Sequence, residues 1–322
     1  MKITRRKFMH AGLGVTGAGV LGFPRMTFAQ SYPARPTTIV VPFAAGGAGD
    51  LSARVISEFA SNKKGDVTAV DFRPGAGATI GTAQVADAKP DGTTLGLYSV
   101  SPYGTTPHLQ KVPYDPMTSF TYVTVHVSVP IAFYVKADSP FATWDDAVKF
   151  AVDNPSKFRW GTAAVRGAAH LATEAAFRKA GARAIFVPFK GGSEAMTALL
   201  GGHIEASVSS DYGPQLDAGE VRLLAFTGSE KVGIYPNVPT FGEMGQPIAV
   251  EATYGLVGPA GLPKEAVAYW NDLVVELQQT KDFENYLKIV KGVRLYWNSE
   301  EFTERAKEAY TTLGQAIKEL GL

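Results

Sequence analysis

The stretch Thr37-Thr38-Ile39-Val40-Val41-Pro42-Phe43-Ala44-Ala45-Gly46-Gly47-Ala48-Gly49-Asp50 decides how this chain is built. The β-branched run Thr37 to Val41 reads as a buried strand. Pro42 stops it, and a loop of glycine and alanine follows. Asp50 then opens a helix whose apolar residues Leu51, Val55 and Phe59 recur every four positions, with Gly65 as its C-terminal stop. The same grammar returns at once. Val67 to Phe72 is a second strand, Arg73-Pro74-Gly75-Ala76-Gly77 leads into a short helix, and Lys89-Pro90-Asp91-Gly92 turns into a third strand, Thr93 to Tyr98. Strands that alternate with helices predict an α/β fold with a mostly parallel sheet covered on both faces.

Further along, Pro130 to Lys136 reads as a strand, and Thr143 caps a helix from Trp144 to Val152 that ends at Asn154-Pro155. Strands follow at 158–162, 184–187, 204–208 and 221–226, with helices at 168–180 and 193–200. Residues 253–258 read as a strand returning toward the first half, and the remainder reads as helical, with Asn298 capping the last helix and Glu301 at the capping-box position. The chain is therefore expected to form two α/β lobes joined by a two-crossover hinge, with crossings near 127–131 and 250. Lobe 1 takes residues 30–130 and 252–322, lobe 2 takes 131–251, and a cleft lies between them.

The whole sequence is 322 residues long, 45% hydrophobic and 19% charged, with 34 glycines and no cysteine. This composition excludes disorder, a collagen-like repeat and a disulfide scaffold. A formal charge of +1 gives no reason to expect nucleic acid. The charge is unevenly placed, because Lys2, Arg5, Arg6, Lys7 and Arg25 all precede the first acidic residue, Asp50. Thr4-Arg5-Arg6-Lys7-Phe8-Met9, the apolar stretch Ala11 to Phe23 and Thr27-Phe28-Ala29 together read as a twin-arginine signal peptide over residues 1–29. The apolar stretch is too short and too rich in glycine to span a hydrocarbon core of about 30 Å. Cleavage after Ala29 removes five of the 31 basic residues and none of the 30 acidic ones, which leaves a mildly acidic chain.

Two strand-to-helix loops, Ala44 to Gly49 and Ala163 to Ala169, are poor in bulky side chains. In open α/β sheets ligands sit beyond the carboxyl ends of strands, where helix N-termini present free N–H groups and a positive dipole end. A carboxylate or phosphate suits both loops, and tight turns account for the same glycines. Asp50, in a first helical turn, orders its own loop, because its charge repels an anion. Arg166 is the one cation of the second loop and has a guanidinium able to take a carboxylate through two parallel hydrogen bonds. Asp211 and Tyr212 stand at a comparable strand end, where Asp211 either receives a polar or cationic ligand group or caps the helix that follows. Tyr98 with the adjoining Ser99, and Tyr103, Tyr212 and Tyr254, are candidates for a lining that favours an aromatic or longer acid; packing is the alternative use of those tyrosines.

Other motifs fail. Gly12-Leu13-Gly14-Val15-Thr16-Gly17 has no strand before it, and Gly75 to Gly81 places its last glycine one residue late for dinucleotide binding. There is no phosphate-loop Lys, no Gly-x-Ser-x-Gly elbow and no cysteine nucleophile. His170 and Glu174 are spaced four apart without a third partner, so no metal is expected.

Several strings, in order, resemble the tripartite tricarboxylate receptor family, the Bug or TctC-like extracytoplasmic solute-binding proteins. They include Val40 to Asp50, Arg73 to Gly77, Lys89 to Gly92, Pro113-Tyr114-Asp115-Pro116, Val187 to Gly191, Leu200 to Ile204, Pro236 to Thr240 and Gly258 to Gly261. The resemblance implies a type II periplasmic-binding-protein fold that closes on a small carboxylated solute. It implicates Phe43, Ala45, Gly46, Gly47, Ala48 and Asp50 in one lobe and Thr162, Ala163, Gly167, Ala168 and His170 in the other. Relatives carry more Gly, Ser and Thr in the second loop and often an Asp-Asn pair where Asp211-Tyr212 stands here, so these are the places where ligand choice is expected to differ. The expectation is a monomeric periplasmic receptor, not an enzyme and without a cofactor. It would take a mono- or dicarboxylate, including aromatic ones, and deliver it to membrane transporter subunits. The competing readings are an exported cofactor-binding enzyme and a receptor coupled to a membrane sensor.

Overall fold

The computed structural model describes residues 32, 33 and 35–321. The expected signal peptide, residues 1–29, lies outside them. The deciding stretch folds as read: β1 (Thr37–Val41) enters α1 (Ala48–Lys64), which Gly65 ends in a left-handed conformation with its N–H on the carbonyl of Ala60. β2 (Thr68–Phe72), α2 (Thr79–Ala86) and β3 (Thr94–Tyr98) complete the first alternation, and a short α3 (Thr106–Leu109) leads to β4 (Phe120–Val129). The second half runs β5 (Ala132–Lys136), α4 (Trp144–Asp153), β6 (Arg159–Thr162), α5 (Ala168–Lys179), β7 (Ile185–Pro188), α6 (Gly192–Leu200), β8 (Ala206–Ser209), α7 (Gly213–Asp217) and β9 (Val221–Phe226). The chain then returns through β10 (Ala252–Pro259) to α8 (Lys264–Leu277), α9 (Lys281–Val290), β11 (Val293–Trp297) and α10 (Ser299–Glu319). Thr143 caps α4 in a full capping box with Asp146, and the Asn298 side chain accepts the N–H of Glu301 at the start of α10.

Two sheets result. One has the order β11-β4-β10-β3-β1-β2 and the other β7-β6-β8-β5-β9. Both are mixed, which corrects the mostly parallel expectation. β1 is parallel to β2 and β3, and β6 to β7 and β8, while β10 and β5 run antiparallel to both of their neighbours. The cause lies in the crossings. β4 carries the chain out of the first sheet and β10 carries it back, so the two must run in opposite directions side by side. β4 itself was not anticipated, although Phe120 to Val129 is rich in Val, Thr and aromatic residues. β11 interrupts the C-terminal region expected to be helical.

Alternating side chains divide each sheet between two cores. Ile39 and Val41 join Leu95, Leu97, Trp270 and Phe283 on one face of the first sheet, whereas Val40 joins Tyr98, Tyr103, Tyr122 and Phe302 on the other. Phe133 packs with Trp144, Phe158, Trp160 and Phe177 on one face of the second, and its neighbour Tyr134 with Tyr212 and Phe226 on the opposite one. From Tyr32 onward the chain is one compact unit.

His126 on β4 is fully buried, 2.7 Å from the hydroxyl of Ser52, and its Nδ1 has no partner. Burial pushes its pKa down to about 3. Since the folded chain resists the proton that the unfolded chain accepts near pH 6.5, His126 is without cost above that pH and destabilises progressively as pH falls toward 3. Urea unfolding at pH 7 and pH 4.5 should show a loss of stability on acidification, of which His126→Gln removes up to a few kcal/mol. An unchanged pH dependence in the variant would remove His126 as its source.

Candidate functional site

The C-terminal ends of β1, β3, β6 and β8 meet at a partly open cavity of about 70 Å³ between the two sheets. Phe43, Ala44, Gly47 and Gly49 reach it from the first loop, and Thr162, Ala163, Ala164 and Ala169 from the second. The two backbone cradles therefore face one space. Ser99, Ser101, Ser209, Ser210 and Tyr254 border it, together with Ile131 and Ala252, where the chain crosses between sheets. Among the described residues, Asp211 is its one charged lining side chain.

The first loop is shaped from within. Gly46 takes φ +88°, a conformation that favours glycine, and its N–H donates to Asp50 at 2.8 Å. Asp50 also accepts the Arg54 guanidinium at 2.5 Å, so its carboxylate serves the loop and helix. Ala45, Gly46 and Ala48 do not border the 70 Å³ cavity. Gly46 and Ala48 line a neighbouring hollow of about 250 Å³ between α1, α6 and α7, and Ala45 offers its carbonyl to the Ser193 hydroxyl at 3.1 Å, across from one sheet's half to the other.

In the second loop, Gly167 is the extended N-cap of α5, and the N–H of Ala168 donates to the Ser101 hydroxyl at 3.1 Å. Arg166 adopts φ +59° and directs its guanidinium to the carbonyl of Leu109 at 3.0 Å, at the rim and outside the cavity lining. His170 accepts the Arg166 N–H through Nδ1 and stacks on Phe186 with ring centroids 3.8 Å apart. Burial, with Arg166 and Arg178 nearby, pushes its pKa down to about 4, so the ring stays neutral and orders the loop. Neither residue brings a cation to the cavity.

The expected aromatic lining reduces to Tyr254, whose hydroxyl lies 3.0 Å from that of Ser210. Tyr98 and Tyr103 pack together at 4.9 Å within the cluster around Phe302 and Tyr122, and Tyr212 is fully buried beside Tyr134. Burying large rings against one another outweighs exposing them in a polar cleft.

Asp211 sits where the two halves touch. Its carboxylate accepts the backbone N–H of Ala48, in the first turn of α1, and that of Gly192, the first residue of α6. Burial pushes its carboxyl upward in pKa, an effect that these two N–H groups offset in part. Ser99 is different again. It is 5% exposed, lines the cavity, and its hydroxyl has no partner. A buried hydroxyl without a partner, on a residue that borders a cavity, is a group that a ligand can satisfy.

Sequence reading missed Val100, Ser101, Ile131, Gly192, Ser209, Ser210 and Ala252. Ser99-Val100-Ser101 and Ser209-Ser210 follow or end β3 and β8, so the strand-end rule applied to every strand would have found them. Gly192, four residues past the end of β7, falls under the same rule, although its contact with Asp211 depends on the tertiary fold. Ser101→Ala should cost about 1 kcal/mol in chemical denaturation by uncapping α5 across the cleft; a stability equal to wild type would show that water replaces the hydroxyl fully.

Comparison with known proteins places this geometry. The model of the tripartite tricarboxylate transporter family receptor, TctC, matches residues 52–322. A UPF0065 protein in the gbd 5' region of Cupriavidus necator is 30% identical over 322 residues, covering 99% of this chain and 98% of that protein. Protein BugT of Bordetella pertussis is 30% identical over 258 residues, 79% of each chain. Among solved structures, the periplasmic binding protein BugD superposes with a TM-score of 0.81 at 28% identity, covering 90% of this chain and 99% of BugD. An R. palustris protein with adipate gives 0.83 at 26%, covering 90% and 98%, and MatC from Rhodopseudomonas palustris with bound malate gives 0.81 at 25%, covering 89% and 100%. The fold is that of the two-lobed periplasmic binding proteins, and the chain belongs to the tripartite tricarboxylate transporter receptor family.

Proposed function

We propose that this chain is a periplasmic receptor that captures a small organic acid by closing two lobes on it and passes the acid to the membrane subunits of a tripartite tricarboxylate-type transporter. Lobe 1 comprises residues 30–130 and 252–322 and lobe 2 residues 131–251. One observation carries the reading: a glycine- and alanine-lined loop from each sheet opens on the same cavity, beside an unpartnered buried serine. Small residues let the ligand carboxylate approach backbone N–H groups, and exclusion of water strengthens each such bond by lowering the local dielectric. With Arg166 and His170 engaged at the rim, recognition rests on backbone and hydroxyl donors, namely the loop around Phe43 to Gly49, Ser99, Thr162, Ala163 and Tyr254. Malate and adipate are the first acids to try, since similar receptors hold them.

Purified protein should gain thermal stability with one or a few acids of a panel of mono- and dicarboxylates. A ligand at a hundred times its Kd contributes about 2.7 kcal/mol, several degrees in Tm for a chain this size. Ala163→Glu, which places a second carboxylate in the cavity, should leave the fold intact and weaken binding at least about tenfold. A panel without any shift, or an unimpaired Ala163→Glu variant, would overturn the reading.

A further inference from the structure

The contact at Asp211 joins residues 163 positions apart in sequence and the N-termini of helices on different sheets. Glycine stands on both sides of the carboxylate. A Cβ added at Gly47 would lie 2.8 Å from Oδ1, and one added at Gly192 would overlap Oδ2. Gly192 has no positive φ and opens a helix, a position where alanine is otherwise the better residue. Its lack of a side chain is therefore explained by the carboxylate pressed against it. The Asp211 backbone N–H in turn donates to the Ser209 hydroxyl at 3.1 Å, and Tyr134 holds that hydroxyl at 2.8 Å, which fixes Asp211 to the second sheet. From there its side chain reaches the first turn of α1, where the helix dipole favours a negative charge.

We propose that Asp211 is a positioning residue, an electrostatic clasp that closes the cleft by bridging the N-termini of α1 and α6, and that Gly192 exists to admit it. The clasp rests on the receptor reading above. Oδ1 accepts the N–H of Ala48 and Oδ2 lies against the backbone of Gly192, so the residue sets the lobe-to-lobe geometry in which the cavity is formed, while the solute takes the donors that remain. A like charge at the cradle also turns the solute's carboxylate away from Asp211, toward Phe43, Ala44, Ser99 and the second loop.

The test is small-angle X-ray scattering on the exhaustively dialysed protein and on Asp211→Ala, Gly192→Ala and the double variant, with no acid added. Thermal denaturation of each establishes that it is folded. A compact chain of this length has a radius of gyration of roughly 20 Å. Each single variant should expand by on the order of 1 Å as the lobes part. The double variant should be no more expanded than Asp211→Ala, because the alanine at 192 then has room. Single variants as compact as wild type would overturn the clasp, as would a Gly192→Ala effect that persists unchanged in the Asp211→Ala background. Since no solute enters the measurement, its outcome stands apart from the acid panel. Loss of acid binding in Asp211→Ala without expansion would make Asp211 a ligand contact, overturning the clasp and leaving the receptor reading intact.

Discussion

The arrangement depends on one carboxylate held between two helix ends. Asp211 is covalently part of the second half, yet it accepts from the first turn of α1 as well as from α6. A partly buried anion without a cation nearby is ordinarily costly, and desolvation does push this carboxyl upward in pKa. What makes it tolerable is the partial positive charge that each helix N-terminus carries, together with two donated N–H groups. The requirement for close approach then explains why residues 47 and 192 are glycine.

The rest of the cleft works to the same rule. At the opposite cradle, Ser101 from the first half caps α5 of the second, so each half supplies a polar side chain to a helix end on the other. Ser193 with Ala45, Ser210 with Tyr254, and Arg166 with Leu109 add further cross-cleft bonds. Individually such bonds contribute about 1 kcal/mol each. A closure held by several weak, geometrically demanding bonds can be shifted by a ligand that adds one or two more. Apolar contacts join the halves as well, since Val100, Leu313 and Ile317 pack with the core cluster of the second sheet.

The aromatic residues serve the complementary purpose. Tyr98, Tyr103, Tyr122 and Phe302 on one side, and Phe133, Trp144, Phe158 and Phe177 on the other, interlock largely edge to face and make each half rigid. Rigid halves preserve the spacing of backbone donors, which matters when recognition rests on N–H groups whose positions only the fold can set.

The residues from Thr37 to Asp50 were sufficient to establish a buried strand feeding a helix through a loop without bulk, and their repetition established an α/β chain that leaves one sheet and returns to it. Local chemistry fixes these features: β-branched runs, proline stops, caps at Thr143 and Asn298, and helical spacing of apolar residues. Sequence also marked both cradle loops, because a strand followed by Gly and Ala before a helix is itself a local pattern. Whether Tyr98, Tyr103, Tyr212 and Tyr254 faced a ligand or the core was not legible, since a tyrosine at a strand end suits either, and only packing against Phe302 or Tyr134 decided it. Arg166 and Asp211 were ambiguous for a related reason. A charged side chain is defined by the partner it reaches, and those partners, Leu109 and Ala48, lie 57 and 163 residues away, brought near only when the halves close.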